Sequence, residues 1–148
     1  MELPENLNVY RFAWKPDHTL LLLNGKDGSL VVLKTDLTAI TTIYPNDKGL
    51  NGIVWHPDAF TNKTEISPRC NWFAAATTKG VIVFDCHALD KNDNFADKLV
   101  VSFEGHLKPP LALAWCPFEG NKIISTAGDG LSHVITPRST INCDLVCI

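Results

Sequence analysis

An all-β chain built from a repeated four-stranded unit is what this sequence predicts, and three observations predict it. The first is a strand that ends in Trp-x-Pro, seen at Trp14-Lys15-Pro16, Trp55-His56-Pro57 and Trp115-Cys116-Pro117. The second is the run after each Trp-x-Pro: an apolar or small-residue strand, a turn containing glycine, and a strand that pairs back. The third is the period, since Trp14 to Trp55 is 41 residues, inside the roughly 40–45 of a four-stranded blade. Such units stack radially into β-propellers. The chain is therefore predicted as one domain over 1–148, a partial propeller with blades at 8–44, 50–103 and 111–148. Three blades are fewer than the four to eight that close a ring. The ring is then incomplete, with apolar faces open on the first and third blades.

The first unit runs through Asn8–Trp14 (NVYRFAW), a turn at Lys15-Pro16-Asp17, and a second strand at Leu20–Asn24. Lys26-Asp27-Gly28 makes the hairpin, Ser29–Leu33 the third strand and the β-branched Ala39–Tyr44 the fourth. The second unit opens with Leu50–Trp55 and stops at His56-Pro57-Asp58. Trp72–Thr77, a turn at Thr78-Lys79-Gly80, Val81–Asp85 and an outer strand at Lys98–Phe103 complete it. In the third unit Leu111, Leu113 and Trp115 alternate with Ala112 and Ala114, which predicts a strand buried on both faces. Pro117 stops it, having no amide to donate to a ladder. Ile123–Ala127 comes next, and Gly128-Asp129-Gly130 is read as supplying the positive φ angles of a two-residue hairpin. Leu131–Ile135 pairs back, and Ser139–Ile148 is the candidate fourth strand.

Spacing places the irregularities. Trp14 to Gly28 is 14 residues and Trp115 to Gly130 is 15, nearly one unit. Trp55 to Trp115 is 60, so about 19 residues are inserted against the first period. Residues 59–69 (AFTNKTEISPR) and 87–97 (HALDKNDNFAD) hold them, and both are polar and turn-rich, as surface loops are. The Asp90–Asn94 run reads as a solvated loop.

Composition excludes several classes. A net charge of −3 over 148 residues leaves no electrostatic footprint for nucleic acid. No stretch approaches the 18 apolar residues of a membrane span, and the start, MELPENLNVY, lacks the basic and apolar regions of a signal peptide. Five cysteines (Cys70, Cys86, Cys116, Cys143, Cys147) are an odd number without a C-x-x-C pair, so reduced thiols of the cytosol or nucleus are expected. Metal binding through Cys143 and Cys147 is a weak reading, and no cofactor or metal is expected. The sequon Asn62-Lys63-Thr64 is then unused, and His18, His56, His87 and His133 share no ligand spacing. Trp14, Trp55 and Trp115 could stack bases, but their common place before a proline turn makes them blade-packing residues. Trp72 breaks that pattern and is the better surface candidate, with packing still preferred.

The repeats resemble those of WD-repeat proteins, and more narrowly the second propeller of the fifth-Gemin family of the survival-of-motor-neuron (SMN) complex. The residues that carry the narrower resemblance are LNGKDGSLVVL (Leu23 to Leu33), LNGIVWHPD (Leu50 to Asp58) with the insertion after it, VIVFDCHAL, and VSFEGHLKPPLALAWCPFEGNKIISTAGDG (Val101 to Gly130). The resemblance covers residues 3 to 136, and 137–148 is an unmatched tail. Departures are visible in the naming dipeptide, where Leu33-Lys34, Phe84-Asp85 and Ile135-Thr136 replace Trp-Asp. Only the third unit has Gly-His before its first strand, and Lys79 takes the place of the turn acid in the second.

The resemblance implies small nuclear RNA recognition in spliceosomal ribonucleoprotein assembly, with other Gemin and SMN-complex proteins and small nuclear RNA as partners, in cytoplasm and nucleus. It assigns no RNA-contacting residue by number. The alternative is a protein-interaction scaffold with no nucleic-acid role, partnered by further propeller blades or by itself. His106, Asp129 and a hydroxyl from Ser125 or Thr126 have the residue types of a hydrolytic triad. Ser125 lies within a strand rather than on a strained nucleophile elbow, however, and no Gly-x-Ser-x-Gly is present. In WD repeats the same types form a structural network from the pre-blade loop to the hairpin, so no enzyme is expected.

Overall fold

β-branched and apolar runs separated by Asp- and Gly-bearing turns fold into antiparallel ladders when alternate side chains find cover on one or both faces. In the computed structural model, which describes residues 8–43, 50–60, 67–78, 80–87, 98–118, 120–137 and 144–147, these runs make twelve strands. The first sheet contains β1 (Val9–Trp14), β2 (Leu20–Gly25), β3 (Leu30–Lys34) and β4 (Ala39–Ile43), paired in that order. The second contains β5 (Gly52–Trp55), β6 (Trp72–Ala76), β7 (Gly80–Asp85) and β8 (Leu99–Glu104), with a 3₁₀ turn at Pro57–Phe60 after β5. The third contains β9 (Pro110–Trp115), β10 (Ile123–Ala127), β11 (Ser132–Thr136) and β12 (Asp144–Cys147). Each sheet is a four-stranded meander, and the three form an arc of a propeller rather than a closed ring. The sequon, the Asp90–Asn94 run, Lys79 and Cys143 lie outside the described residues.

The registers make the repeat explicit. Trp14 faces Leu21, Trp55 faces Phe73 and Trp115 faces Ile123. Those residues in turn face Leu33, Phe84 and Ile135 on the next strand. The single extra residue of the third unit falls in the connection from β9 to β10, not in the hairpin.

Two apolar layers join the blades. Leu22, Leu30 and Val32 of the first blade pack with Trp55, Phe73 and Phe84 of the second. Ala74, Val81, Val83 and Phe103 of the second pack with Trp115, Ile123 and Ile135 of the third. Burying one such side chain contributes about 1.5–3 kcal/mol, so these layers dominate the cohesion of the arc. Trp72, the surface candidate, is half-buried against the second layer, with the Arg69 guanidinium 5.6 Å from its ring.

Three expectations need correction. The hairpin at 128–130 is a three-residue loop, like the one at 26–28: Gly130 N–H donates to Ala127 O (3.2 Å) and Gly28 N–H to Gly25 O (3.0 Å). In each, only the last glycine has positive φ, 84° at Gly28 and 81° at Gly130, the left-handed residue that ends a type I turn with a bulge. Second, β9 is not buried on both faces, because Leu111, Ala112 and Ala114 are exposed. As the innermost strand of its sheet, β9 borders the axial cleft on one side and an uncovered blade face on the other. Third, the outer face of the first blade is exposed along β1 but not at its centre. Its centre, Leu21, Leu23, Val31 and Leu33, is buried as a cluster of its own, built on the cross-strand pairs Leu21–Leu33 and Leu23–Val31.

Candidate functional site

The innermost strands β1, β5 and β9 converge on a cleft of about 500 Å³ near the propeller axis, and each is an edge of its sheet. Tyr10, Phe12 and Leu111 line it and are exposed, and Asn51 adds a polar side chain. The Arg11 guanidinium sits 5.4 Å from the centre of the Tyr10 ring.

At one end of the cleft the Trp-x-Pro turns gather, with Trp14, Trp55, Trp115, Pro16, Pro57 and Pro117 around a common depression. The blade-packing tryptophans are not equivalent there. The Trp55 Nε1–H donates to the Ala13 carbonyl of the preceding blade (3.0 Å), and the Trp115 Nε1–H donates to the Val54 carbonyl (3.2 Å). Ala13 and Val54 each precede the tryptophan of their own blade. Trp14 occupies the same place on the first blade but packs on no preceding blade among the described residues, and 42% of it is exposed.

The polar residues of the third blade form one network. His106 comes from the loop before β9, Ser125 from the middle of β10 and Asp129 from the hairpin. Ser125 Oγ lies 2.9 Å from His106 Nε2, and His106 Nδ1 lies 3.4 Å from an Asp129 oxygen. A carboxylate only accepts, so these partners assign the proton to Nδ1 and make the serine hydroxyl the donor to Nε2. Asp129 also accepts the amides of Leu107 (2.8 Å) and Leu131 (3.0 Å). The Leu131 amide, then the Leu107 amide and the His106 ring, hold its carboxyl down at about 2. Thr126, the alternative hydroxyl, is half-buried and takes no part. The atom order is that of a hydrolytic relay, but Ser125 is fully buried and its hydroxyl has no route to a substrate.

His133, opposite Ser125 across the ladder, meets His106 edge-on with ring centroids 4.3 Å apart. Burial, then the neighbouring His106, lowers its pKa. A second histidine device spans two blades. His56 is fully buried after β5, and its Nδ1 accepts the Asp58 amide (3.1 Å). That leaves Nε2–H to donate to the Gly120 carbonyl, 64 residues away. Its ring also meets Trp115 edge-on at 4.5 Å. Burial lowers the His56 pKa, opposed by the Gly120 hydrogen bond. Gly120 has φ +60°, and a Cβ there would strike the His56 ring. Sequence reasoning missed this clasp because histidine spacing alone carries no trace of it. The only local signal was a glycine in the loop between Trp115 and Ile123.

Among the described residues no three His, Cys, Asp or Glu side chains converge as metal ligands, and the side chains of the Cys143–Cys147 pair lie outside them. Cys86 is buried, and burial pushes its thiol pKa well up, which makes it unreactive.

No protein-family model matches the chain, and no curated protein sequence does. Among solved structures, it is similar to the β-propeller domain of Cps50 (Swd1) from Myceliophteria thermophila, with a TM-score of 0.72 and 9% identity. The match covers 98% of this chain and 38% of that one. At that identity the likeness speaks for fold and carries nothing of the narrower fifth-Gemin resemblance. The fold is that of a β-propeller, present as an arc of three blades.

Proposed function

We propose that this chain is a WD-repeat interaction scaffold that receives a short extended segment of a protein partner at its axial cleft. The observation that carries the reading is the cleft itself: three neighbouring sheet edges line it, and two of them, β1 and β9, present Tyr10, Phe12 and Leu111 on rigid strands, with Arg11 beside them. Exposed aromatic rings on a rigid frame give large contact area for little loss of rotamer entropy. Hydrolysis is not part of the reading, because the only Asp-His-Ser relay among the described residues is sealed inside the third blade. The test is to select ligands from a displayed random-peptide library and titrate the best by calorimetry. Tyr10→Ala and Leu111→Asp should each weaken binding about tenfold or more while leaving the melt intact. Selected peptides indifferent to both changes would refute the assignment.

A second reading is a part in small nuclear RNA recognition with other SMN-complex proteins, in cytoplasm and nucleus. One observation favours it, the Arg11 cation placed on the Tyr10 ring with Phe12 exposed beside them. Cations beside stacking rings are the chemistry that single-stranded RNA requires. Against it stands the net charge of −3, which leaves few phosphates neutralised. Mobility shifts with a small nuclear RNA at about 50 and 200 mM salt distinguish the two. Binding that is abolished by Tyr10→Ala and Arg11→Ala supports the RNA reading, and its absence at the lower salt removes it.

A further inference from the structure

The Trp-x-Pro turns of the first two blades each carry an aspartate that accepts a hydroxyl, but from different places. Asp17 takes the Thr19 hydroxyl (2.6 Å), two residues on, and pairs with Lys15 (2.6 Å). Asp58, its counterpart, takes the Ser67 hydroxyl (2.5 Å), nine residues on and within the 59–69 insertion. His56 stands there in the place of Lys15. Ser67 opens the turn that leads into β6. Its carbonyl accepts the Cys70 amide (3.1 Å) and its Oγ the Arg69 amide (3.2 Å). Ser67 is half-buried and the Pro68 after it is exposed, whereas Thr19 is followed by a leucine. Asp58 in turn belongs to the clasp between blades. Its amide donates to His56 Nδ1 (3.1 Å), and its carboxylate lies 3.8 Å from that nitrogen. The opposite ring nitrogen reaches the Gly120 carbonyl of the third blade. One chain of contacts, Ser67–Asp58–His56–Gly120, therefore runs from a Ser-Pro hydroxyl to the blade junction.

We propose that Ser67 is the acceptor of a proline-directed protein kinase, and that its phosphate loosens the His56–Gly120 clasp. The step is a phosphoryl transfer from ATP. The Ser67 Oγ–P bond forms, the bond from the γ-phosphorus to the β,γ-bridging oxygen breaks, and ADP leaves. The hydroxyl proton passes to the catalytic carboxylate of the kinase. Kinases of this class require a proline directly after the acceptor, and in this sequence only Ser67 and Thr136 have one. Thr136 faces Asp144 inside the β11–β12 ladder, whereas Ser67 lies outside any strand. The phosphate removes the hydrogen that Asp58 accepts and sets about −1.5 to −2 charges against its carboxylate. Arg69, whose guanidinium rests 5.6 Å from the centre of the Trp72 ring, is the cation on the same turn. It draws the phosphate away from Asp58. Asp58 then leaves Ser67, and its amide no longer fixes the His56 ring on Gly120. None of these residues lines the axial cleft, so this inference and the proposed function can fail separately.

Incubation of residues 1–148 with ATP and an active mitogen-activated or cyclin-dependent kinase tests the site by mass mapping. One phosphate on Ser67 is expected, and none there in Ser67→Ala. No incorporation by either kinase, or incorporation at Thr136 instead, overturns the site. Urea unfolding and proton NMR test the link to the clasp. The phosphorylated chain should have a folding equilibrium constant about tenfold below that of Ser67→Ala, which loses the same hydrogen bond without gaining charge. In Asp58→Asn the phosphate meets an amide that can donate, so phosphorylation should cost about twofold or less. The His56 Nε2–H resonance, protected in the parent by its bond to Gly120, should be lost on phosphorylation. A phosphorylated chain as stable as Ser67→Ala, a full loss that persists in Asp58→Asn, or an unchanged His56 resonance overturns the link.

Discussion

The third blade and the first two solve one packing problem in opposite ways. Where the second strand of a blade faces the third at mid-strand, the first blade holds Leu23 against Val31 and the second holds Ala75 against Ile82. The third holds Ser125 against His133, both buried. Their hairpin acids differ in the same sense. Asp27 bonds only locally, accepting the Ser29 amide at 3.0 Å and its hydroxyl at 2.6 Å. Asp129 keeps the local half through Leu131 and adds a distant half through Leu107 and His106. A buried hydroxyl is tolerable when it is satisfied, and Ser125 is satisfied by His106, from a loop some twenty residues upstream. The first two blades fill this mid-strand position with apolar side chains; the third uses it to fix the path of the chain entering it.

The difference can be broken most severely at the junction of the third blade with the second. Gly120→Ala forces a side chain into a left-handed backbone position and into the His56 ring. It should cost roughly 2–4 kcal/mol, read from urea unfolding. His56→Ala in the same background should recover part of that loss. His106→Ala comes next, at roughly 2–3 kcal/mol, because it leaves Ser125 without its partner and opens a gap against Phe103 and His133. If this loss is under about 0.5 kcal/mol, the network is not what holds the third blade. Ser125→Ala, which copies Ala75 of the second blade, should cost only about 1–2 kcal/mol. The reverse change, Ala75→Ser, should destabilise as well, since no histidine waits for that hydroxyl.

Acid should act first on the two buried histidines, one at the junction of the second and third blades and one inside the third. His56 and His133 have pKa values lowered below 6.5 in the fold, chiefly by burial. The unfolded chain therefore binds more protons, and stability that is full above pH 6.5 falls as the pH drops below it. Asp129, at about 2 against an ordinary 3.8, adds a further loss only below pH 3.8. The melting midpoint should fall between pH 7.5 and 5.5, and His133→Leu should flatten that slope. An unchanged midpoint across this range would show that neither histidine is buried neutral.

The smallest effect is a gain in the first blade. Leu37 has φ 64° and is exposed at the end of the β3–β4 turn. Leu37→Gly removes a left-handed strain of about 1–2 kcal/mol and gives back part of it as unfolded-state entropy, for a net gain of about 0.5 kcal/mol.

The sequence by itself determined the strands, their antiparallel order within each blade and the position of the glycine-bearing hairpins. Alternation and turn chemistry act over a few residues, and NVYRFAW or SLVVL has little choice once its turns are set. The partners of His106 were also legible as residue types, because Gly-His, a Ser-Thr strand and Gly-Asp-Gly stand close together in the chain. Tertiary structure decided between Ser125 and Thr126, since adjacent strand residues face opposite ways and only the blade's placement says which way is inward. It decided that Trp55 and Trp115 bridge blades while Trp14 stands open, a difference set by neighbours rather than by the shared Trp-x-Pro. It also decided the His56–Gly120 clasp. Those three junctions join residues 42, 61 and 64 positions apart. No local pattern encodes contacts over such spans, because they exist only after the blades have stacked.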